Sequence, residues 1–360
     1  MKAAFGGWCL ALLAPIWPPV LAQDGGNNVT LCQANDSFNS TSASTPYEFN
    51  NNVWGEGALD NGSQCLSVFD EGASWSVTYQ FTGNPELVKS FPRMKVHPSR
   101  LPVLFWNISA LDFKADWSIY VQGTENSSPE EQAQAYDETY VRQNAAIDVF
   151  LSDDAWNSTQ VGPPIEIMIW FWRTPTIVPL GYFESTPAVD TVEVDGMDFS
   201  LYHGWNAQGQ HVFSWLSESN MTSTDADYSP LLRYIWQKGL LSGALWLGQL
   251  EFGFEVMHAG EQTVSQVKPG YNLHLIRDGD SDDRPKSTAI VQSATSTRAA
   301  STAPSPTVTS PSEPAATTSS SAGRLAPAGM ASNRWFDATC LAALLSGAVL
   351  FLISILHIDS

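Results

Sequence analysis

The sequence predicts an all-β fold, a sandwich of two antiparallel sheets with one short helix. Three observations predict it. Segments with alternating apolar residues recur along the chain, clusters of Gly, Pro, Asn and Asp separate them, and only one stretch carries a helical pattern marked at both ends. In chain order the alternating segments are SWSVTYQF (74–81), PVLFWNIS (102–109), WSIYVQG (117–123), AAIDVFL (145–151), IEIMIWFW (165–172), HVFSWL (211–216), LWLGQLEFGFEV (245–256) and YNLHLI (271–276). The helix starts with Ser229 as N-cap and Pro230 in the first position. Leu231, Leu232 and Ile235 share its apolar face, and Gly239 stops it. It is expected to pack on the outer sheet. No internal repeat of solenoid length is present.

The β segments lie within residues 23–277, which read as one large domain. Residues 1–22 have the form of a secretory signal: Lys2, an apolar run from Ala3 to Ile16, and Val20-Leu21-Ala22 as a small-residue cleavage site. Residues 278–334 are rich in Ser, Thr, Pro and Ala with little to bury, the composition of an extended stalk. The stalk opens on DGDSDDRPK, but a calcium loop of about twelve residues from Asp278 would end at Ala289, where a Glu is needed. Within residues 335–360, Ala338–Leu356 is uncharged and, at about 1.5 Å per residue, nearly matches a bilayer core of about 30 Å. No Lys or Arg follows it, and small residues such as Ser321-Ala322-Gly323 lie upstream. The segment is therefore expected to be a GPI-attachment signal rather than a permanent span.

Cys9 falls in the signal and Cys340 in the apolar tail, leaving Cys32 and Cys65 as an even pair on an oxidising route, which predicts one disulfide. Sequons at Asn28, Asn35, Asn39, Asn61, Asn107, Asn126, Asn157 and Asn220 fit a secreted glycoprotein. The net charge of −20 argues against nucleic acid and against anionic lipid head groups as partners. An extracellular monomer at the cell surface is expected, touching the membrane only through its anchor. No cofactor and no metal are expected: the histidines and cysteines lack ligand spacing, and neither a phosphate loop nor a GxSxG elbow occurs.

The chemistry is sought in two strands. Read with period two, IEIMIWFW sends Ile165, Ile167, Ile169 and Phe171 to one face and Glu166, Met168, Trp170 and Trp172 to the other. The first is a core face; the second is an acid beside a thioether and two indoles. In LGQLEFGFEV, Leu250, Phe252, Phe254 and Val256 back a face carrying Gln249, Glu251, Gly253 and Glu255. AAIDVFL adds Asp148 in an apolar setting. Acids gathered on one sheet suit glycosidic cleavage, where one carboxylate attacks the anomeric carbon and a second protonates the leaving oxygen. Trp54, Trp170 and Trp205 could stack on the C–H faces of sugars, whereas Trp106, Trp117 and Trp236 read as core.

These residues resemble glycoside hydrolase family 12, the compact β-jelly-roll endoglucanases and xyloglucanases, from Cys32 to about Ile276. YEFNNNVWGEG (47–57), GASWSVTYQFTGNPELVKSFPRM (72–94), IDVF, IEIMIW, LYHGWN (201–206) and LEFGFE follow the family's order. The resemblance implies a concanavalin-like jelly roll, with Glu166 as nucleophile, Glu255 as acid/base and Asp148 orienting the nucleophile. Glu166 and Glu255 would face each other across a concave sheet, about 5–5.5 Å apart in a retaining enzyme. Met168 and Trp170 would line the sugar at the point of cleavage and Trp54 and Trp205 would stack on it, with Asn52 and Asn206 as hydroxyl contacts. The implied activity is a retaining endo-β-1,4-glucanase acting on cellulose-like, mixed-linkage or xyloglucan polysaccharide. The alternatives are a non-catalytic β-glucan-binding or adhesion protein on the same fold, or a cell-wall transglycosylase. Two departures stand out. The family's Gly-Thr-Glu-Pro-Phe is here Gly253-Phe254-Glu255-Val256-Met257. Glu251 replaces a usual Gln and is expected to raise the pKa of Glu255.

Overall fold

A computed structural model describes residues 28–40, 46–55 and 62–280. The signal, the sequon at Asn61, nearly all of the stalk and the anchor segment lie outside these residues. The strands are β1 (Val29–Leu31), β2 (Ser37–Asn39), β3 (Tyr47–Asn50), β4 (Gly62–Phe69), β5 (Ser74–Phe81), β6 (Arg93–Val96), β7 (Val103–Leu104), β8 (Ile108–Val121), β9 (Arg142–Ser152), β10 (Ile165–Arg173), β11 (Thr191–Val194), β12 (Met197–Trp205), β13 (His211–Ser217), β14 (Ser223–Asp227), β15 (Trp246–Val267) and β16 (Asn272–Arg277). Helices α1 (Pro129–Glu138) and α2 (Ser229–Gln237) complete the elements used below.

One layer runs β2-β3-β6-β15-β9-β10-β13-β12-β11 and the other β1-β4-β5-β15-β8, with β14 and β16 also paired to β8. Strand β15 belongs to both. Its first half, to His258, pairs with β9; from Ala259 onward it pairs with β5 and then β8. Register shifts at Val256/His258 and Ala259/Thr263 mark the crossing, as bulges do where a strand changes sheet.

Alternation places the core between the layers. In β5, Trp75, Val77, Tyr79 and Phe81 are buried while the residues between them are partly exposed. The backs of the two acid-bearing strands meet there: Phe171 and Phe252 both pack against Phe113 and Trp117. Cys32 and Cys65 are joined, tying the segment after β1 to β4.

Four expectations need correction. There are two helices among the described residues: α1 opens on a capping box, with Ser128 accepting from Glu131 N and Glu131 accepting from Ser128 N. Its mean hydropathy is low and none of its residues is buried, so an apolar stripe could not reveal it. In α2, Ser229 is the first helical residue rather than the cap, and Asp227 accepts its N–H. The larger sheet is not wholly antiparallel, because β10 and β13 run parallel. Trp117 is core, but Trp106 is 48% exposed. No helix among the described residues is long and apolar enough to cross a membrane.

Candidate active site

Strands β15, β9 and β10 lie side by side, and their register decides which acids meet. Glu251 is opposite Asp148, which is opposite Met168; Gly253 is opposite Ala146, which is opposite Trp170. Glu166 lies one step to one side, opposite Phe150, and Glu255 to the other side, opposite Asn144. Paired residues share a sheet face. Glu166 and Glu255 therefore flank a floor built from Asp148, Glu251, Met168, Trp170, Ala146 and Gly253. Gly253 has a steric reason: a Cβ there would stand 2.5 Å from the Pro92 carbonyl oxygen.

Burial sets the electrostatics. The Glu166 carboxyl is pushed up to about 8, first by desolvation and then by the charges of Glu255 and Glu251. Glu255 is pushed up to about 7 by desolvation, opposed by a 2.6 Å hydrogen bond donated by Asn144 Nδ2. Asp148 is raised well above the ordinary range by burial and by Glu166, Glu255 and Glu251, with Arg93 opposing. Such a cluster holds protons near neutrality, and the mutual repulsion makes its members titrate as a group. The expected action of Glu251 on Glu255 falls instead on Glu166 and Asp148.

Glu251 is itself buried, with its side chain 1% exposed, and is paired with Arg93 Nε at 3.0 Å and Lys95 Nζ at 3.5 Å. Lys95 also donates to Gln249 Oε1 at 2.6 Å, while Gln249 donates to the Gln160 carbonyl at 2.7 Å. Sequence reasoning missed Arg93, Lys95 and Asn144. Arg93 and Lys95 share one parity of a short strand, a usable but weak signal. Asn144 immediately precedes the alternating run AAIDVFL, and nothing local points to its contact with Glu255.

The remaining expected contacts divide. Met168 and Trp170 occupy the floor, where Trp170 Nε1 lies 3.3 Å from Met168 Sδ, and both pack with Ala146, Ile177 and Val212. Trp54 is exposed beside Lys89, on the segment bridged through Ser90 to Val256, and so lies near Glu255. Asn52 Nδ2 donates to the Phe91 carbonyl at 3.1 Å, and Asn206 closes its own turn through Gln208 and Gln210. Both amides thus serve the loops. Trp205 does not join the floor: it pairs with His211, itself opposite Ile165, and stacks on the His211 ring at 4.6 Å on the face away from Glu166. Trp172 departs as well. A bulge between Trp170 and Trp172 turns it into the core against Tyr136. The described residues contain no group of His, Cys, Asp and Glu able to hold a metal ion.

A β-sandwich face carrying flanking carboxyls with raised pKa values is an arrangement used by glycoside hydrolases. The model described as glycosyl hydrolase family 12 matches residues 45–272, more than half of the chain, and the chain belongs to that family. Among curated relatives, Endoglucanase A of Aspergillus kawachii is 27% identical over 243 residues, covering 66% of this chain and 89% of the relative. Xyloglucan-specific endo-beta-1,4-glucanase A of Emericella nidulans is 27% identical over 218 residues, covering 60% and 80%. Inactive glycoside hydrolase XLP1 of Phytophthora nicotianae is 25% identical over 231 residues, covering 63% and 87%. The fold is similar to that of Trichoderma harzianum Endoglucanase 3 from family GH12, with a TM-score of 0.55 at 23% identity, covering 69% of this chain and 100% of that one.

Proposed function

We propose that the protein is a retaining endo-β-1,4-glucanase that cleaves a β-glucan polymer at the cell surface. The observation that carries this reading is the pair Glu166 and Glu255, flanking one floor with both carboxyls shifted toward neutrality. The signal-like start and apolar tail support secretion and a GPI tether.

With values of about 8 for Glu166 and about 7 for Glu255, the reactive form is the minor of the two singly ionised forms of the coupled pair: in it ionised Glu166 attacks the anomeric carbon while protonated Glu255 transfers its proton to the departing glycosidic oxygen. Asp148, buried and held protonated by its neighbours, leaves the negative charge to Glu166. Asn144 holds Oε2 of Glu255 and so orients that carboxyl. Once Glu166 is esterified it is neutral. The repulsion favouring a protonated Glu255 then disappears, and Glu255 becomes a better base toward water. Water attack releases the sugar with its original anomeric configuration.

The test is reducing-end release by the secreted protein on mixed-linkage glucan, a soluble cellulose derivative and xyloglucan, with Glu166→Gln and Glu255→Gln alongside. Activity abolished by both substitutions supports the reading, and the best polymer identifies the substrate. A second reading, a non-catalytic β-glucan binder, is favoured by the altered Phe254-Glu255-Val256-Met257 stretch and by the relative named inactive. Binding to the same polymers without turnover would select it.

A further inference from the structure

One row of paired residues crosses the larger sheet from β3 to β10. Glu48 is opposite Lys95, Lys95 is opposite Glu251, Glu251 is opposite Asp148, and Asp148 is opposite Met168. The neighbouring row runs Asn50, Arg93, Gly253, Ala146 and Trp170. Arg93 therefore enters this face at Gly253, midway along β15 between Glu251 and Glu255. Gly253 leaves the room for it, since a Cβ there would stand 3.0 Å from the Arg93 Cβ.

The guanidinium is turned to one of the two acids. Its Nε lies 3.0 Å from one oxygen of Glu251, and Lys95 Nζ lies 3.5 Å from the other. Among the described residues neither buried Glu251 oxygen has a hydrogen-bond donor, so charge alone holds the carboxylate. Lys95 is fixed from its other side by Gln249, which in turn holds the Gln160 carbonyl.

This arrangement is lopsided. By register, Arg93 stands between Glu251 and Glu255, whereas toward β9 and β10 the next groups are Asp148 and Glu166 themselves. The other strands alter the balance little. From β13, Val212 and Ser214 meet Glu166 and Met168 and bring no charge. Arg173, turned to this face by the β10 bulge, stands opposite Asn144, beyond Glu255. The carboxyl shifts follow the same asymmetry: Glu251 raises Glu166 and Asp148, while Glu255 answers to desolvation and to Asn144.

We infer that Glu251 is a positioning residue for the reaction: clamped by Arg93 and Lys95, it directs its charge at the Glu166 nucleophile, while Arg93 shields the Glu255 acid/base from it. The inference rests on the glucanase reading above. A neighbouring anion opposes ionisation of Glu166, so Glu251 sets the alkaline limb of activity and Lys95 tempers it.

The experiment measures kcat/KM on a soluble β-glucan across the pH range for the full-length protein and its Glu251→Gln and Lys95→Met variants. The alkaline limb follows Glu166, at about 8, and the acid limb follows Glu255, at about 7. Glu251→Gln should lower the alkaline limb by about one unit and leave the acid limb in place. Lys95→Met removes a balancing cation and should move the alkaline limb the opposite way. A residue that only packs would lower activity at every pH and move neither limb. That result overturns the inference, as does a shift of both limbs together in Glu251→Gln. If Glu251→Gln does not fold, Lys95→Met decides alone. If the unsubstituted protein cleaves no β-glucan, the glucanase reading fails separately. The Glu166 carboxyl is then followed by carbon NMR, assigned by its absence from Glu166→Gln. Titration at lower pH in Glu251→Gln would sustain the inference; an unchanged titration would overturn it.

Discussion

Glu251 stands directly opposite Asp148 across the β15–β9 ladder, and the two buried carboxyls are treated differently by their surroundings. Glu251 is paired with both Arg93 and Lys95. Asp148 has three other acids acting on it and only the Arg93 charge in opposition. A proton therefore settles on Asp148, while the two cations hold Glu251. Removing Arg93 leaves a buried carboxylate with one partner, so Arg93→Met should destabilise the fold by about 3 kcal/mol. Adding Glu251→Gln should restore much of the loss. A denaturant double-mutant cycle measures this, and additive effects would show that the pair is not coupled.

Substitution at the acid/base should depend on the leaving group. Glu255→Gln should lower kcat on β-glucan by about 10²–10⁴-fold, but much less on an aryl cellobioside whose leaving group needs no proton. Equal losses on both substrates would argue against an acid role.

Asn144 holds Glu255 toward its ionised form, so removing the amide raises the carboxyl above its value of about 7. With ionised Glu166 (about 8) and protonated Glu255 (about 7) both required, the lower limb of the pH profile follows the smaller value. Asn144→Ala should move the acid limb of kcat/KM upward and leave the alkaline limb near 8. A limb that stays in place would detach Asn144 from the titration.

Stability should fall as pH rises. The folded-state values of about 8 for Glu166 and about 7 for Glu255 lie above their ordinary value of 4.5. The folded state therefore binds more protons than the unfolded state between those limits. The favourable contribution is complete below about pH 4.5 and is lost as pH rises through the folded values. The melting temperature should be lower at about pH 8 than at about pH 5, and Glu166→Gln should narrow the difference. An unchanged difference would mean that Glu166 does not titrate in this window.

The disulfide spans 33 residues of sequence. Replacing both Cys32 and Cys65 with Ser should cost about 3–4 kcal/mol through loop entropy restored to the unfolded chain. Equilibrium unfolding of the two forms checks it.

Local alternation was enough to read β5, β9, β10 and the first half of β15, the apolar backs of the acid-bearing strands, and the positions of Glu166, Asp148, Glu251 and Glu255 on one kind of face. The order of motifs added the family, and Ser229 to Gly239 marked α2 within one residue. These features were legible because side-chain direction and helix ends depend on neighbouring residues. Only the tertiary structure decided which strands adjoin, that β15 serves two sheets, and that a bulge sends Trp172 inward and Arg173 to the face of Glu255. It also decided that Trp205 lies on the opposite face and that Asn144, Arg93 and Lys95 reach the acids. Those outcomes depend on ladder register between residues distant in sequence. A one-residue shift exchanges the two faces of a strand, and no local pattern records it.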